Sequence, residues 1–487
     1  MSAGLLLGID EGTTAVKVGL FDRDLRPLAE ARRPVPVSHP GPGLVEQDPE
    51  LILEAVIEAV AEVLPSAAGA GVVAAGLDHQ GESVLAWDAD SGRALTPVIV
   101  WQDKRQQDLL AGLDPSVAAR SGLPLDPYFS AGKLAWLLEH DLEVDRARQR
   151  GTLRLGTVEA FLADRLAGRF ATDLSTASRT QLLALGGRDW DQQLLDLFGV
   201  RREWLPTLGP TIGALGELRS ERWSTQLPLT AQLVDQQAAL AGSGAVLPGE
   251  LKATYGTGVF VLGHTDGPAR ATGLLPTVAW ATADSSGAVG EISYALDGGV
   301  FAAGSLLDWL AQGLGLAPDA RSLAAAAAEV PDSAGVTVLP ALAGLGAPWW
   351  RPDAHGVIAG LHAGVSSAHL GRAALQSIAW RVADIVDAMA EAVPIRSVRV
   401  DGGLTNDRTL LQLQADALGL ALGVGRADAT VLGAAMLAGV GAGVYASVED
   451  AAERLPPGRV VEPALDAAER ERERSRWRAF VAGAAEL

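Results

Sequence analysis

The segment Leu6–Asp22, LLGIDEGTTAVKVGLFD, has the pattern of an apolar strand, a Gly-Thr turn and a second apolar strand. The segment Lys252–His264, KATYGTGVFVLGH, repeats this pattern in the second half of the chain. A strand pair with glycine at its turn exposes backbone N–H groups and hydroxyls to an anion. The two segments therefore predict a phosphate-binding turn in each half, and neither contains a Walker or GxGxxG loop.

The composition excludes several classes of function. The chain has 487 residues, 48% of them apolar, with a net charge of −20 and no cysteine. It can bury two or more cores, and the negative charge argues against nucleic acid as a partner because such binding needs clustered cations. No apolar run reaches the ~18–20 residues of a membrane span, and Met1–Leu7 is too short for a signal peptide. We expect no membrane partner and a cytoplasmic location, which the lack of cysteine favours.

Strands alternate with helices in both halves, and the strand pattern restarts after Ala245–Gly249. This restart predicts two domains, residues 1–246 and 247–487. Periodicity also predicts a strand at Tyr294–Leu296, a helix at Phe301–Leu314 and a helix at Ala429–Val444. The duplication predicts an α/β fold of the two-lobed actin, hexokinase and Hsp70 type, with duplicated ribonuclease H-like domains and a nucleotide in the interdomain cleft.

Several motifs carry a more specific resemblance. They are YFSAGKLAWLLEH at Tyr128–His140, GVIAGLHAGVSSAHLGRAALQ at Gly356–Gln376, DEGTT at Asp10–Thr14, VWQDKR at Val100–Arg105, DLSTASRT at Asp173–Thr180, DQQAAL at Asp235–Leu240, TYGTG at Thr254–Gly258 and VDGG at Val400–Gly403. Their order resembles that of the FGGY carbohydrate kinases, and most closely the glycerol-specific branch of that family. The resemblance implies ATP and Mg²⁺ as cofactors. It also implies acceptor binding in the first domain and nucleotide binding in the second.

The resemblance assigns the reacting groups by position. Asp235 matches the catalytic base, Gln236 would hydrogen-bond the acceptor, and Asp10 matches the magnesium-linked carboxylate. Without the resemblance, Asp10 reads as a turn aspartate and Asp235 as a helix N-cap. The residues implied for the nucleotide and its phosphates are Thr13, Thr14, Lys17, Thr257, Gly258, Gly304, Asp308, Gly403 and Asp407. Two of these, Asp308 and Asp407, replace amides of the family, and Asn406 is a candidate substitute for the second.

The acceptor pocket departs from the family at one position. Its implied residues are His79, Gly81, Glu82, Trp101, Tyr128, Asp235, Gln236 and Phe260. Gly81 stands where the glycerol-specific branch has an arginine, so the pocket is expected to lose donors and gain volume, which favours a longer polyol or sugar. His79 is either a compensating donor or a structural histidine at the end of a strand.

These assignments predict ATP-dependent phosphorylation of a terminal hydroxyl of glycerol or a related small polyol or sugar. The alternative within the family is a ketose kinase acting on a substrate such as xylulose or ribulose, which Gly81 leaves open. A third hypothesis is a non-catalytic, nucleotide-dependent binding protein, but no appended peptide-binding domain is visible in the sequence. The resemblance also implies a homodimer.

Overall fold

The computed structural model describes residues 4–67, 69–426, 428–456 and 458–484. The strands of these residues are β1 (Leu5–Glu11), β2 (Ala15–Phe21), β3 (Pro27–Pro34), β4 (Glu46–Gln47), β5 (Val72–His79), β6 (Val84–Asp88), β7 (Val98–Ile99), β8 (Leu153–Thr157), β9 (Ala171–Asp173), β10 (Thr207–Gly209), β11 (Ile212–Leu218), β12 (Leu227–Val234), β13 (Glu250–Tyr255), β14 (Val259–Thr265), β15 (Leu275–Ala283), β16 (Val289–Val300), β17 (Thr337–Leu339), β18 (Val357–Ala359), β19 (Ser397–Asp401), β20 (Leu422–Val424) and β21 (Arg459–Val461).

The helices of the same residues are α1 (Pro49–Val63), α2 (Gln107–Leu110), α3 (Ser116–Ser121), α4 (Ser130–His140), α5 (Leu142–Arg150), α6 (Val158–Ala167), α7 (Leu174–Ala177), α8 (Gln192–Phe198), α9 (Asp235–Gly242), α10 (Gly304–Asp308), α11 (Ala320–Ala328), α12 (Ser367–Ala390), α13 (Arg408–Leu418), α14 (Ala429–Gly441), α15 (Val448–Ala452) and α16 (Ala467–Ala484). Shorter 3-10 turns occur at Leu64–Ala67, Arg202–Trp204 and Gly403–Asn406, and a π turn occurs at Trp309–Gly313. In the part of the chain that the structure describes, no helix combines the length and apolar character needed to cross a bilayer.

The chain packs into two compact units. The first comprises Met1–Val246, Pro276–Ala295 and Asp428–Leu455. Its main sheet has the order β11-β12-β5-β1-β2-β3, in which β1 pairs antiparallel with β2 and parallel with β5. Strand β12 is also parallel to β5, so the carboxyl ends of β1, β5 and β12 lie at one edge of this sheet.

The second unit comprises Leu247–Leu275, Leu296–Ala427 and Pro456–Leu487. Its sheet has the order β21-β20-β19-β13-β14. Strand β13 pairs antiparallel with β14 and parallel with β19, and β20 is parallel to β19. The hairpin followed by two parallel strands therefore occurs in both units, as the repeated sequence pattern predicts.

Helix α14 explains why the units are not two consecutive halves of the chain. It packs on strands β1 and β5, where the strands present glycines. A Cβ atom at Gly8 would lie 2.0 Å from the Val431 carbonyl oxygen, and one at Gly76 would lie 2.1 Å from that of Ala434. Only glycine allows this approach, so residues 428–455 return to the first unit. The predicted limits of 1–246 and 247–487 overlook this return, because it depends on a contact between distant residues.

Three elements of the second half differ from their predicted limits, and one of them is the helix predicted at Ala429–Val444, which ends at Gly441. The strand predicted at Tyr294–Leu296 extends over Val289–Val300. The helix predicted at Phe301–Leu314 begins at Gly304 and ends in the π turn at Trp309–Gly313. Apolar periodicity located all three elements but not all of their ends, which depend on neighbouring contacts.

Candidate active site

The turn between β1 and β2 holds an ion pair beside exposed hydroxyl groups. Asp10 is buried near the end of β1, and its Oδ2 lies 3.1 Å from the Nζ of Lys17 on β2. The Lys17 side chain is 49% exposed, and the charge of Asp10 raises the pKa of this lysine. Thr14 at the turn is exposed, and Thr13 is half-buried. The turn thus presents a carboxylate, a cation and two hydroxyls, which suits binding of a metal–phosphate group.

Three carboxylates gather at the carboxyl ends of the parallel strands of the first unit. Asp10 on β1 is in register with Asp78 on β5, and Asp78 is in register with Leu233 on β12, two residues before Asp235. Both carboxylate oxygens of Asp78 are buried without a hydrogen-bond partner in the described structure. Burial raises the pKa of Asp78, and the charges of Asp10 and Asp235 raise it further. Sequence reasoning missed Asp78, although a carboxylate ending a buried strand was visible.

Asp235 is the first residue of helix α9 and not its N-cap. Val234 occupies the cap position and makes no side-chain capping bond. The Asp235 Oδ1 instead accepts a hydrogen bond of 2.6 Å from the backbone N–H of Gln236. Asp235 and Gln236 are both half-buried, so each side chain retains access to solvent.

The predicted acceptor wall contacts the predicted phosphate turn. The indole Nε1 of Trp101 donates a 3.0 Å hydrogen bond to the Oγ1 of Thr13. The rings of Trp101 and Tyr128 meet edge to face, with centroids 5.6 Å apart. Buried Lys133 holds the segment that carries Tyr128, because its Nζ donates to the carbonyl oxygens of residues 127, 128 and 129. Burial lowers the pKa of Lys133 to about 7.

Glu82 has an unusual backbone and an unpredicted partner. Its φ of +63° lies in the left-handed region, a conformation that costs a non-glycine residue about 1–3 kcal/mol. The Nε of Arg179 donates a 2.7 Å hydrogen bond to Glu82 Oε1, and both side chains are 4% exposed. Arg179 belongs to the DLSTASRT motif, but 97 residues separate it from Glu82. No pattern in the sequence joins the two residues.

The structure removes the volume expected at Gly81 and favours one of the two interpretations of His79. A Cβ atom at Gly81 would lie 2.9 Å from Val234 Cγ1, so a valine methyl fills the space in which an enlarged pocket was expected. His79 is fully buried, its Nε2 lies 3.1 Å from Thr176 Oγ1, and burial lowers its pKa to about 3. A neutral ring cannot provide the charge-assisted bond of an arginine, and these contacts suit a structural histidine.

The second phosphate turn is held by the chain that leads into α10. The Gly256 N–H donates to the Gly258 carbonyl at 2.8 Å, and the Thr257 carbonyl accepts from Ala303 and Ser305 at 2.9 and 3.1 Å. A Cβ atom at Gly304 would lie 2.7 Å from the Gly256 carbonyl oxygen. Gly304 therefore permits close packing against the turn.

The other predicted residues of the second unit lie on separate elements. Phe260 is half-buried on β14, Asp308 is exposed at the end of α10, and Gly403 is exposed. A Cβ atom at Gly403 would have no neighbour within 4 Å among the described atoms. Asp407 caps α13, because its Oδ1 accepts from the N–H groups of residues 409 and 410. The Asn406 amide donates to the Gly403 carbonyl, so both polar side chains after the VDGG motif have a local structural role.

Comparison with known proteins identifies the family. The N-terminal domain profile of the FGGY family of carbohydrate kinases matches residues 5–242, and the C-terminal domain profile matches residues 251–442. A glycerol kinase of Citrifermentans bemidjiense is 40% identical over 489 residues, which cover 98% of each chain.

Solved structures give the same result. The structure of Plasmodium falciparum glycerol kinase with ADP is 28% identical, with a TM-score of 0.92 over 99% of this chain and 98% of that one. A xyloylose kinase from Brucella ovis is 26% identical, with a TM-score of 0.86 over 98% and 99% of the two chains. The α/β fold class predicted from the sequence is confirmed. The chain belongs to the FGGY family of carbohydrate kinases.

Proposed function

We propose that this chain transfers the γ-phosphoryl group of ATP to a terminal hydroxyl of glycerol or a related small polyol. The bond between Trp101 and Thr13 carries the proposal. It joins the wall expected to hold the acceptor to the turn expected to hold the phosphates, within one compact unit. A kinase needs this proximity, because phosphoryl transfer depends on holding the acceptor oxygen close to the phosphorus atom. The similarity to glycerol kinases over the full chain supports the same assignment.

In the proposed reaction the carboxylate of Asp235 accepts the proton of the acceptor hydroxyl. The acceptor oxygen forms a bond to the γ-phosphorus as the bond from that phosphorus to the β-bridging oxygen breaks, which releases ADP. The hydrogen bond from the Gln236 backbone N–H orients one Asp235 oxygen. Glu82, Trp101 and Tyr128 would bind the other hydroxyls and the carbon chain of the acceptor.

The donor set of the first unit fits a magnesium–nucleotide group. Carboxylate and phosphate oxygens are the ligands that Mg²⁺ prefers. Asp10 and Asp78 are in register on neighbouring strands, and both Asp78 oxygens lack a hydrogen-bond partner in the described structure. Bound Mg²⁺ would neutralise charge on the phosphates. Asp10 would hold the metal, and Lys17 with the turn hydroxyls would contact phosphate oxygens. In the second unit, the turn at Thr257–Gly258 and the open side of Gly403 are the proposed nucleotide contacts.

The acceptor is a small polyol in this proposal, with a ketose as the second candidate. Gly81 removes a donor, which weakens recognition of glycerol and leaves a four- or five-carbon acceptor at least as favourable. Because Val234 fills the adjacent space, this preference rests on the lost donor alone and not on added volume.

A substrate panel tests the proposal. Purified protein with ATP and Mg²⁺ is assayed for ADP release with glycerol, erythritol, ribitol, xylulose and ribulose, and without acceptor. We expect turnover that depends on a polyol, together with a phosphorylated product detected by mass spectrometry. Equal ADP release with and without every acceptor would refute the proposal and favour a nucleotide-dependent binding protein. Faster turnover of xylulose or ribulose than of any polyol would favour the ketose kinase.

A homodimer and a cytoplasmic location remain predictions that rest on the family resemblance and the composition. Light scattering coupled to gel filtration would measure the mass of the particle against the 50.3 kDa of one chain. A particle of one chain mass at micromolar concentration would contradict the dimer.

A further inference from the structure

The side chain of Arg179 lies beside the residues proposed to bind the acceptor. The Arg179 guanidinium forms a buried ion pair with Glu82 and lies over two aromatic rings, 5.8 Å from the centroid of Tyr128 and 5.6 Å from that of Phe129. Tyr128 in turn meets Trp101 edge to face. One guanidinium therefore contacts both the charged and the aromatic parts of the acceptor wall.

The Glu82 backbone is held in a conformation that local sequence does not favour. Its φ is +63°, and the Oγ of Ser130 donates a 3.1 Å hydrogen bond to its carbonyl oxygen. A strained residue persists where surrounding contacts fix it, and such residues cluster at ligand sites. Arg179 and Ser130 fix the side chain and the carbonyl of Glu82 from separate segments. The direction of the Glu82 carboxylate is thus set by contacts that are distant in sequence.

We propose that Arg179 is a specificity-determining positioning residue for the acceptor. It holds the Glu82 carboxylate at 2.7 Å and supports the Tyr128 ring, so the hydroxyl pattern accepted by Glu82 depends on Arg179. This role is important here because position 81 is glycine and supplies no guanidinium. The inference rests on the proposed function for the identity of the ligand, a small polyol.

The competing explanation is a buried ion pair that contributes to folding alone. Removing one partner of such a pair destabilises a protein strongly, so a loss of activity would not separate the two explanations. The test must therefore compare polyol affinity, polyol discrimination and nucleotide affinity in variants that fold. Arg179→Lys keeps the charge but loses the planar contact, and Arg179→Met removes the charge.

The chain offers a matched control. Arg154 forms an ion pair with Asp164 at 2.5 Å and lies 4.6 Å from the Phe170 ring centroid, so it makes the same two kinds of contact in the same unit. None of these three residues is assigned to the site. Arg154→Lys should leave ligand binding unchanged. Its side chain is 27% exposed against 4% for Arg179, so its effect on stability should be smaller.

Calorimetry measures the dissociation constants for glycerol, ribitol and ADP without requiring turnover. We expect Arg179→Lys to weaken binding of the preferred polyol about ten- to hundredfold, as for the loss of a bond to a charged group. The glycerol-to-ribitol ratio should move toward one, while the Kd for ADP and the constants of Arg154→Lys stay within about twofold of wild type. In turnover, the KM for the polyol should rise more than kcat falls.

Two results would overturn the inference. One is an Arg179→Lys variant with wild-type polyol affinity and discrimination, even if its melting temperature falls, because the pair would then be structural. The other is a wild-type chain that binds neither polyol, which would also remove the proposed function. A wild-type chain that binds polyols without phosphorylating them would remove the proposed function alone, and the affinity changes of Arg179→Lys would still support the positioning role.

Discussion

Replacing Gly81 by arginine tests whether Val234 controls the acceptor pocket. The introduced guanidinium would lie beside Glu82, and a bond to a charged group contributes roughly 1.5–3 kcal/mol, or about ten- to hundredfold in kcat/KM. However, a Cβ atom at position 81 approaches Val234 Cγ1 to 2.9 Å. Valine is stiff about χ1, and overpacking of this kind costs about 1–3 kcal/mol. The two effects are of similar size, so the single variant should change kcat/KM for glycerol less than about tenfold.

Removing the Val234 methyl groups should allow the introduced arginine to raise kcat/KM for glycerol. We expect Gly81→Arg with Val234→Ala to raise kcat/KM for glycerol about ten- to hundredfold above Val234→Ala alone, and to shift the preference from ribitol toward glycerol. Steady-state kinetics on wild type, both single variants and the double variant gives the coupling free energy, which should be about 0.5–3 kcal/mol. Additive effects, or the full gain in Gly81→Arg alone, would refute the reasoning because Val234 would not restrict the position.

Three further changes test other groups. Asp235→Asn should lower kcat about 10²–10⁴-fold with ADP binding unchanged, since it removes the proposed base. The control is Asp189→Asn, which changes an exposed aspartate. A loss of kcat below tenfold in Asp235→Asn would contradict the role of Asp235 as the base. Asp10→Ala should lower kcat/KM in a way that added Mg²⁺ rescues poorly, whereas normal activity in a magnesium titration would remove Asp10 from the mechanism. Burial raises the pKa of Glu159 from 4.5 to about 7, so its contribution to stability is lost as pH rises through this range. Relative to wild type, the free energy of unfolding of Glu159→Gln should rise by roughly 3 kcal/mol between low pH and pH above 7. Denaturant unfolding at pH 5 and 8 measures this difference, and parallel pH profiles of the two proteins would contradict it.

Local patterns predicted the elements that carry the site. The hairpins at Leu6–Asp22 and Lys252–His264 were visible because strand alternation and a glycine turn are short-range signals. The aspartate at position 78 was also visible, but its role in the site depends on which residues the strand register places beside it. The apolar run Val72–Leu77 predicts a strand that ends at this aspartate, but it does not show that Asp10 lies on the neighbouring strand. Register is fixed by the packed sheet and not by either strand alone.

Long-range contacts account for what the sequence did not reveal. The Arg179–Glu82 pair joins residues 97 positions apart, and Val234 covers Gly81 from a strand more than a hundred residues later. Such pairs leave no periodic signal in a single sequence. The expected gain of volume at Gly81 followed from the residue type alone, and the neighbouring methyl group reverses it. The roles of the site residues themselves remain predictions for the experiments above.

The return of helix α14 to the first unit has a consequence for synthesis on the ribosome. When residue 246 has been made, the glycines at positions 8 and 76 still lack the helix that covers them. That helix and its flanking segment are complete roughly 200 residues later, which corresponds to about 10–40 s at ordinary elongation rates. The sheet face of the nascent first unit thus stays uncovered while the second unit is synthesised. Chaperone binding to the nascent chain should be greatest in this interval. A fragment that ends at residue 246 should aggregate.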